Sequence, residues 1–208
     1  MFYFVKMPGF FKTLYPGCIW SVDTSEKIIH LTFDDGPHPE VTPYVLEELK
    51  KFNAKATFFC IGKNVVDHPQ VYSRILSDGH TTGNHTYNHL NAWKVKDDIF
   101  LKDVADAMPV IDSKMFRPPY GKITRFQIRQ LAKPRYNLKP IMWDVISGDF
   151  DNSITPSKCL DNVLLNAEAG SIVVFHDSEK AFNNLRYALP ITLEHFYHKG
   201  YSFKSLML

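Results

Sequence analysis

The residues of this chain best suited to chemistry begin with two adjacent carboxylates, Asp34 and Asp35, which follow His30-Leu31-Thr32-Phe33 and precede Gly36-Pro37. Neighbouring residues on a strand point to opposite faces, so adjacent aspartates share one environment only where the strand ends. The Gly-Pro pair supplies that end and lets both carboxylates reach the mouth of a sheet or barrel. An Asp-Gly step alone is an ordinary turn, and the weight comes from what the later chain adds. His85 and His89 stand four residues apart, one above the other if they open a helix, which suits two ligands of one divalent ion. Two imidazoles and a strand-end carboxylate, with positions left open for water, make a hydrolytic or oxygenase site rather than a closed structural one.

A metal-bound water is acidified, yet it needs a base beside it and a donor for the leaving group. The second aspartate of the pair suits the first task. His176, delivered by the apolar run Ile172-Val173-Val174-Phe175, suits the other. Arg117, followed by Pro118-Pro119-Tyr120, reads as a guanidinium fixed on a rigid turn and suited to clamping a carboxylate bidentately. Singly, Arg117 also reads as a surface charge beside a proline turn and His176 as a hydrogen-bonded core histidine. Jointly, Asp34, Asp35, His85, Arg117, Asp149 and His176 all fall just after a predicted strand, where α/β barrels and open sheets place their active face.

The elements that must position these residues alternate as strand and helix with short breaks, which predicts parallel α/β construction. Strands are expected over residues 28–33, 56–62, 80–84, 115–117, 139–145, 171–175 and 201–206. Helices are expected over 41–52, 69–76, 96–111, 124–132, 157–168 and 184–198. No internal repeat, low-complexity tract or linker interrupts them. We therefore expect one catalytic domain over residues 28–208, with residues 1–27 packed on it as an N-terminal segment.

The chain has 208 residues, of which 45% are hydrophobic, including 16 Phe and 10 Tyr, so it can fill a sizeable core and is not a disordered chain. Its net charge of +2 sets up no strong field, and no basic cluster interleaves with aromatics, which excludes a nucleic-acid footprint. Cys18, Cys60 and Cys159 form no CxxC pair and read as buried thiols. The N-terminus is apolar but broken by Lys6, Pro8, Lys12 and Pro16, and it lacks a cleavage site and the length to span a bilayer. A cytoplasmic protein is the expectation, with cell-envelope association open, as a monomer or weak oligomer.

TFDDGP at 32–37, HTYNH at 85–89, RPPYG at 117–121, WDVISGDF at 143–150 and IVVFHD at 172–177 resemble, in order, the five motifs of the polysaccharide deacetylases. This is the NodB-homology domain, family four of the carbohydrate esterases, and the match covers nearly the whole chain. The resemblance implies a distorted, incomplete (β/α)7-type barrel that removes acetyl groups from a carbohydrate with one divalent ion, zinc first and cobalt, nickel or manganese as alternatives. It implies Asp34 as base, Asp35, His85 and His89 as metal ligands, and Arg117 as tether of Asp34. The backbone N–H of Tyr120 would stabilise the oxyanion, and His176, hydrogen-bonded to Asp149, would be the acid. The fourth motif departs from the usual DxxDW: Ile146 replaces its first Asp and Phe150 its Trp. Phe150 still offers an apolar wall, and Trp143 and Phe175 either line the pocket or pack in the core. His38 either touches substrate or is a turn residue. Two other readings are an amidase acting on a non-sugar C–N bond, which would need a closed pocket, and a non-catalytic carbohydrate-binding relative. A sugar polymer would need an open groove with exposed aromatics.

Overall fold

β-Branched and aromatic runs buried on both faces set the strand pattern, and the computed structural model describes residues 3–207. In chain order the elements are α1 Phe10–Leu14, β1 Ile28–Asp34, α2 Val41–Lys51, β2 Thr57–Cys60, α3 Gly62–Asp67, α4 Pro69–Ser77, β3 Thr81–Asn84 and α5 Asp97–Ala107. They continue with β4 Met115–Phe116, α6 Arg125–Leu131, β5 Lys139–Pro140, β6 Val145–Ile146, α7 Pro156–Leu164, β7 Ile172–His176, α8 Phe182–His198 and β8 Ser202–Phe203. The strands pair in the order β5-β4-β3-β2-β1-β7-β6, all parallel, and β8 pairs with the first residues of β1. Seven parallel strands thus curl into the distorted barrel expected from the sequence, with helices outside.

All seven residues of β1 are buried, as the centre of a parallel sheet requires. Phe33 stacks on Phe58 at 5.0 Å and on Phe175 at 6.1 Å, binding β1 to its two neighbours. Phe175 therefore belongs wholly to the core. Outside, α2 turns Val45, Leu46 and Leu49 onto this layer. Helix α6 is started by a capping box in which Thr124 and Gln127 bond each other's backbone N–H, which makes Thr124 the cap rather than the first helical residue. Helix α8 carries Pro190, which has no N–H to give the preceding turn; the Arg186 carbonyl so released accepts the Tyr44 hydroxyl at 3.0 Å. Cys18, Cys60 and Cys159 are buried free thiols.

Two expectations are corrected. Residues 139–145 do not form one strand: β5 pairs with β4 and β6 pairs with β7, so this run changes partner half-way and joins the two ends of the sheet. Between them the carbonyls of Ile141 and Met142 accept hydrogen bonds from Arg117 instead of from a strand. The outer side of the same run is covered by the N-terminal segment, through bridges from Lys6 to Val145 and from Ile19 to Ile141. The second correction concerns residues 85–89, which form a loop and not a helical turn. Thr86 and His89 sit at φ 63° and 59°, and α1 and α3 are helices the sequence pattern did not suggest.

Candidate active site

Strand β1 delivers Asp34 in register with Phe59 on β2 and with His176 on β7, so a carboxylate and an imidazole stand side by side on neighbouring strands. One residue on, Asp35 takes φ 81°, which turns its side chain out of the strand alternation. The turn is pinned on both sides: Asn64 donates to the Asp35 carbonyl at 2.7 Å, and Gly36 N–H donates to Asp177 at 3.1 Å. Gly36 must be glycine, since a Cβ there would meet Asp177 Oδ2 at 2.0 Å. Asp177 also accepts from Thr42 at 2.5 Å, and burial pushes its carboxyl up to about 7.

Strand β3 ends at Asn84 and delivers the next residue, His85, whose Nδ1 donates to the Arg117 carbonyl at 2.7 Å, leaving Nε2 facing Asp35 Oδ1 at 3.6 Å. His89 reaches the same oxygen through Nε2 at 3.2 Å. The loop between them is held by Asp103, which accepts from the backbone and side chain of Asn88 at 3.1 and 2.6 Å, and by Asn84, which accepts from Thr86 N–H. One ligand atom from each of Asp35, His85 and His89 lies within 4.8 Å of the others, the one such set of three among the described residues. Burial alone would raise the Asp35 carboxyl, but hydrogen bonding from His85 and His89 holds it well below the usual carboxylate range. A hard oxygen and two imidazole nitrogens, one already oriented by a backbone carbonyl, fit a zinc-like divalent ion with an open position.

Arg117 follows β4 and is fully buried. Its Nη1 donates to Asp34 Oδ1 and Thr32 Oγ1, both at 2.7 Å, Nε donates to Ile141 O at 3.1 Å and Nη2 to Met142 O at 2.9 Å. The expected bidentate clamp is therefore a single bond, because the rest of the fork serves the run that closes the barrel. The turn after it places Tyr120 at φ 59°, with its ring 4.7 Å from that of His89.

Asp149, just past β6, accepts from His176 Nδ1 and from His176 N–H, both at 2.7 Å, and has no solvent exposure. Burial would lower the imidazole, but the charge and hydrogen bond of Asp149 outweigh it and carry His176 up to about 9. Phe150 sets its ring edge-on to His176 at 5.1 Å and is itself packed by Tyr3 at 5.3 Å. Trp143 is half-buried, 5.9 Å from the guanidinium of Arg117. His38 lies apart from the site's chemistry: its Nδ1 accepts from Glu40 and Val41 N–H at the start of α2.

The structure thus brings Asp34, Asp35, His85, His89, Arg117, Tyr120, Asp149, Phe150 and His176 to one end of the sheet. Sequence reasoning missed Asp103, Asn84, Thr42 and Asp177, which hold the loops, and Tyr3, which backs Phe150. Only Asp177, adjoining His176, carried a visible signal.

The model of the polysaccharide deacetylase family matches residues 21–137. The chain is 35% identical over 189 residues to a peptidoglycan-N-acetylglucosamine deacetylase of Bacillus cereus, covering 88% of each. A second deacetylase of that name from the same organism is 35% identical over 156 residues, covering 72% of this chain and 56% of the longer relative. A crystal structure of a peptidoglycan N-acetylglucosamine deacetylase, in complex with 4-naphthalen-1-yl-N-oxidanyl-benzamide, superposes with TM-score 0.86 at 31% identity and 94% coverage of both chains. No helix among the described residues is long and apolar enough to cross a membrane. Motifs, barrel and relatives agree, and the chain belongs to the polysaccharide deacetylase family, the family-four carbohydrate esterases.

Proposed function

We propose that this chain is a metal-dependent deacetylase of N-acetylglucosamine-containing glycans, acting on the amide of the 2-acetamido group. The observation that carries this reading is the cluster of Asp35, His85 and His89 ligand atoms within 4.8 Å, flanked by one ion pair on each side, Asp34 with Arg117 and His176 with Asp149. The names of the relatives support the substrate class, and the exposed rings of Trp93 and Tyr120 favour a glycan over a small amide.

Asp35, His85 and His89 would hold the ion, which when bound polarises the acetyl carbonyl and lowers the pKa of adjacent water. Asp34, aimed by Arg117, takes a proton from the attacking water. The oxygen adds to the acetyl carbon, and the backbone N–H of Tyr120 donates to the oxyanion that develops. His176, kept protonated through neutral pH by Asp149, gives its proton to the amine nitrogen as the C–N bond breaks. Acetate and the free amino sugar leave. Phe150 and Trp143 provide apolar surface beside the acetyl methyl and sugar face, and keep bulk water from the pair. Peptidoglycan as the substrate would put the protein's action at the cell envelope.

The test is acetate release from chito-oligosaccharides and from peptidoglycan, with chelator and then with zinc, cobalt, nickel or manganese restored. Release abolished by chelator and recovered with metal is expected. Release unaffected by chelation sinks the metal-dependent mechanism, and no release from any glycan sinks the deacetylase reading.

A further inference from the structure

The net charge of +2 conceals an uneven distribution of charge along the chain. Residues 114–143 hold eight Lys and Arg without one Asp or Glu, and residues 1–22 hold Lys6 and Lys12 with no acid, so all 22 acidic residues lie elsewhere. The fold brings these two stretches together. Leu14 and Tyr15 at the end of α1 line one open groove of about 400 Å³ with Arg125, Ile128 and Arg129 of α6. Arg125 and Arg129 are exposed, stand one turn apart, and have no ion-pair partner among the described residues. Asp97, the acid hydrogen-bonded to α6, accepts from Gln127 on the buried side of that helix. Helix α1, Phe10-Phe11-Lys12-Thr13-Leu14, buries none of its residues although three are apolar. Phe10 and Leu14, one turn apart, are 55% and 42% exposed, and Phe126 beside Arg125 is 42% exposed.

Exposed apolar side chains set among unpaired cations match an interface that offers hydrocarbon and negative charge together. A soluble polyanion would use the arginines and leave Phe10, Leu14 and Phe126 in water. A second copy of the chain presenting the same face would bring like charges together. An anionic bilayer takes both kinds of side chain. Its headgroup phosphates accept from the guanidiniums, while the rings and Leu14 enter the boundary between headgroups and acyl chains. We infer that α1 and α6 form one docking face for an anionic phospholipid membrane, with a headgroup phosphate in the groove lined by Arg125 and Arg129. The face adjoins the catalytic end of the barrel: α6 follows the turn that holds Tyr120 and Gly121, and Tyr15 also lines a cleft with Tyr120 and Trp143. Docking thus holds the reacting groups near the bilayer surface whichever bond they cleave, so the inference stands apart from the deacetylase reading.

The experiment is flotation of the full chain with vesicles of equimolar phosphatidylglycerol and phosphatidylcholine, and with vesicles of phosphatidylcholine alone. Binding to the anionic vesicles is expected to be at least about tenfold tighter than to the neutral ones, and to weaken as salt rises from about 0.1 to about 1 M. Arg125→Gln with Arg129→Gln should weaken it at least about tenfold, and Phe10→Ser with Leu14→Ser about fivefold or more. Arg125→Lys with Arg129→Lys, which keeps the charge, should retain most of the binding. Far-ultraviolet circular dichroism and acetate release from soluble chito-oligosaccharides should match the parent in every variant, which separates lost docking from lost fold. No flotation with anionic vesicles, equal flotation with both kinds, or parental affinity in the glutamine variant overturns the inference. An affinity untouched by Phe10→Ser with Leu14→Ser, together with displacement from the vesicles by inorganic polyphosphate, assigns the face to a soluble polyanion and overturns it too.

Discussion

Arg117 gives Asp34 one hydrogen bond of 2.7 Å while its remaining bonds go to Thr32, Ile141 and Met142, so one side chain aims a carboxylate and ties down backbone it never contacts in sequence. Arg117→Lys keeps the charge and loses the planar fork. We expect urea unfolding to show a loss of at least about 1–3 kcal/mol, the scale for leaving a buried acceptor such as the Ile141 or Met142 carbonyl without its donor. Turnover should fall with it, and a variant as stable and active as the parent would show that the fork is dispensable.

On the proposed mechanism, Asp34 and His85 separate chemistry from metal holding. Asp34→Asn is nearly isosteric and should retain stoichiometric zinc by elemental analysis while kcat drops at least about 100-fold, within the span for losing a general base. His85→Ala removes a ligand and should lose both zinc and activity. An unchanged rate in Asp34→Asn removes Asp34 from the role of base.

The His176–Asp149 pair has a signature in pH. Since the folded imidazole titrates near 9, above its ordinary 6.5, its contribution to stability is complete below about pH 6.5 and is lost as pH rises past 9. The difference in unfolding free energy between parent and Asp149→Asn, both metal-free, should approach about 3 kcal/mol at pH 6. It should shrink steadily toward pH 9.5. A difference independent of pH would mean that the pair is not charged in the folded protein.

Gly121 sits at φ 64°, and a Cβ there would meet Trp143 Cη2 at 2.5 Å. Gly121→Ala should lower the unfolding free energy by about 1–3 kcal/mol through overpacking and a strained φ. The near-ultraviolet circular dichroism of Trp143 should change with it, since the ring must move. An alanine variant with parental stability and spectrum would show that the turn adapts freely.

The sheet was legible because β1, β2 and β7 are short β-branched and aromatic runs, the composition that a strand buried on both faces needs. Asp34 and His176 were legible because each follows such a run directly, Asp35 because it adjoins Asp34, and Arg117 because it opens a rigid proline turn. The path of residues 85–89 was not, since its left-handed residues are supported by Asp103, which the chain supplies only after another loop and half a helix. Nor was the split at residues 139–146 visible, because an extended run looks alike in sequence whether it keeps one neighbour or trades it for another.

That seam has a consequence for how the protein becomes an enzyme during its own synthesis. Ile141 and Met142 leave the ribosome well after Asp34 and Arg117, and until they arrive the guanidinium lacks two of its anchors. On the proposed mechanism, a chain whose residues 141 and 142 have not yet docked would hold Asp34 without the anchors that aim Arg117, so competence would wait for the barrel to close.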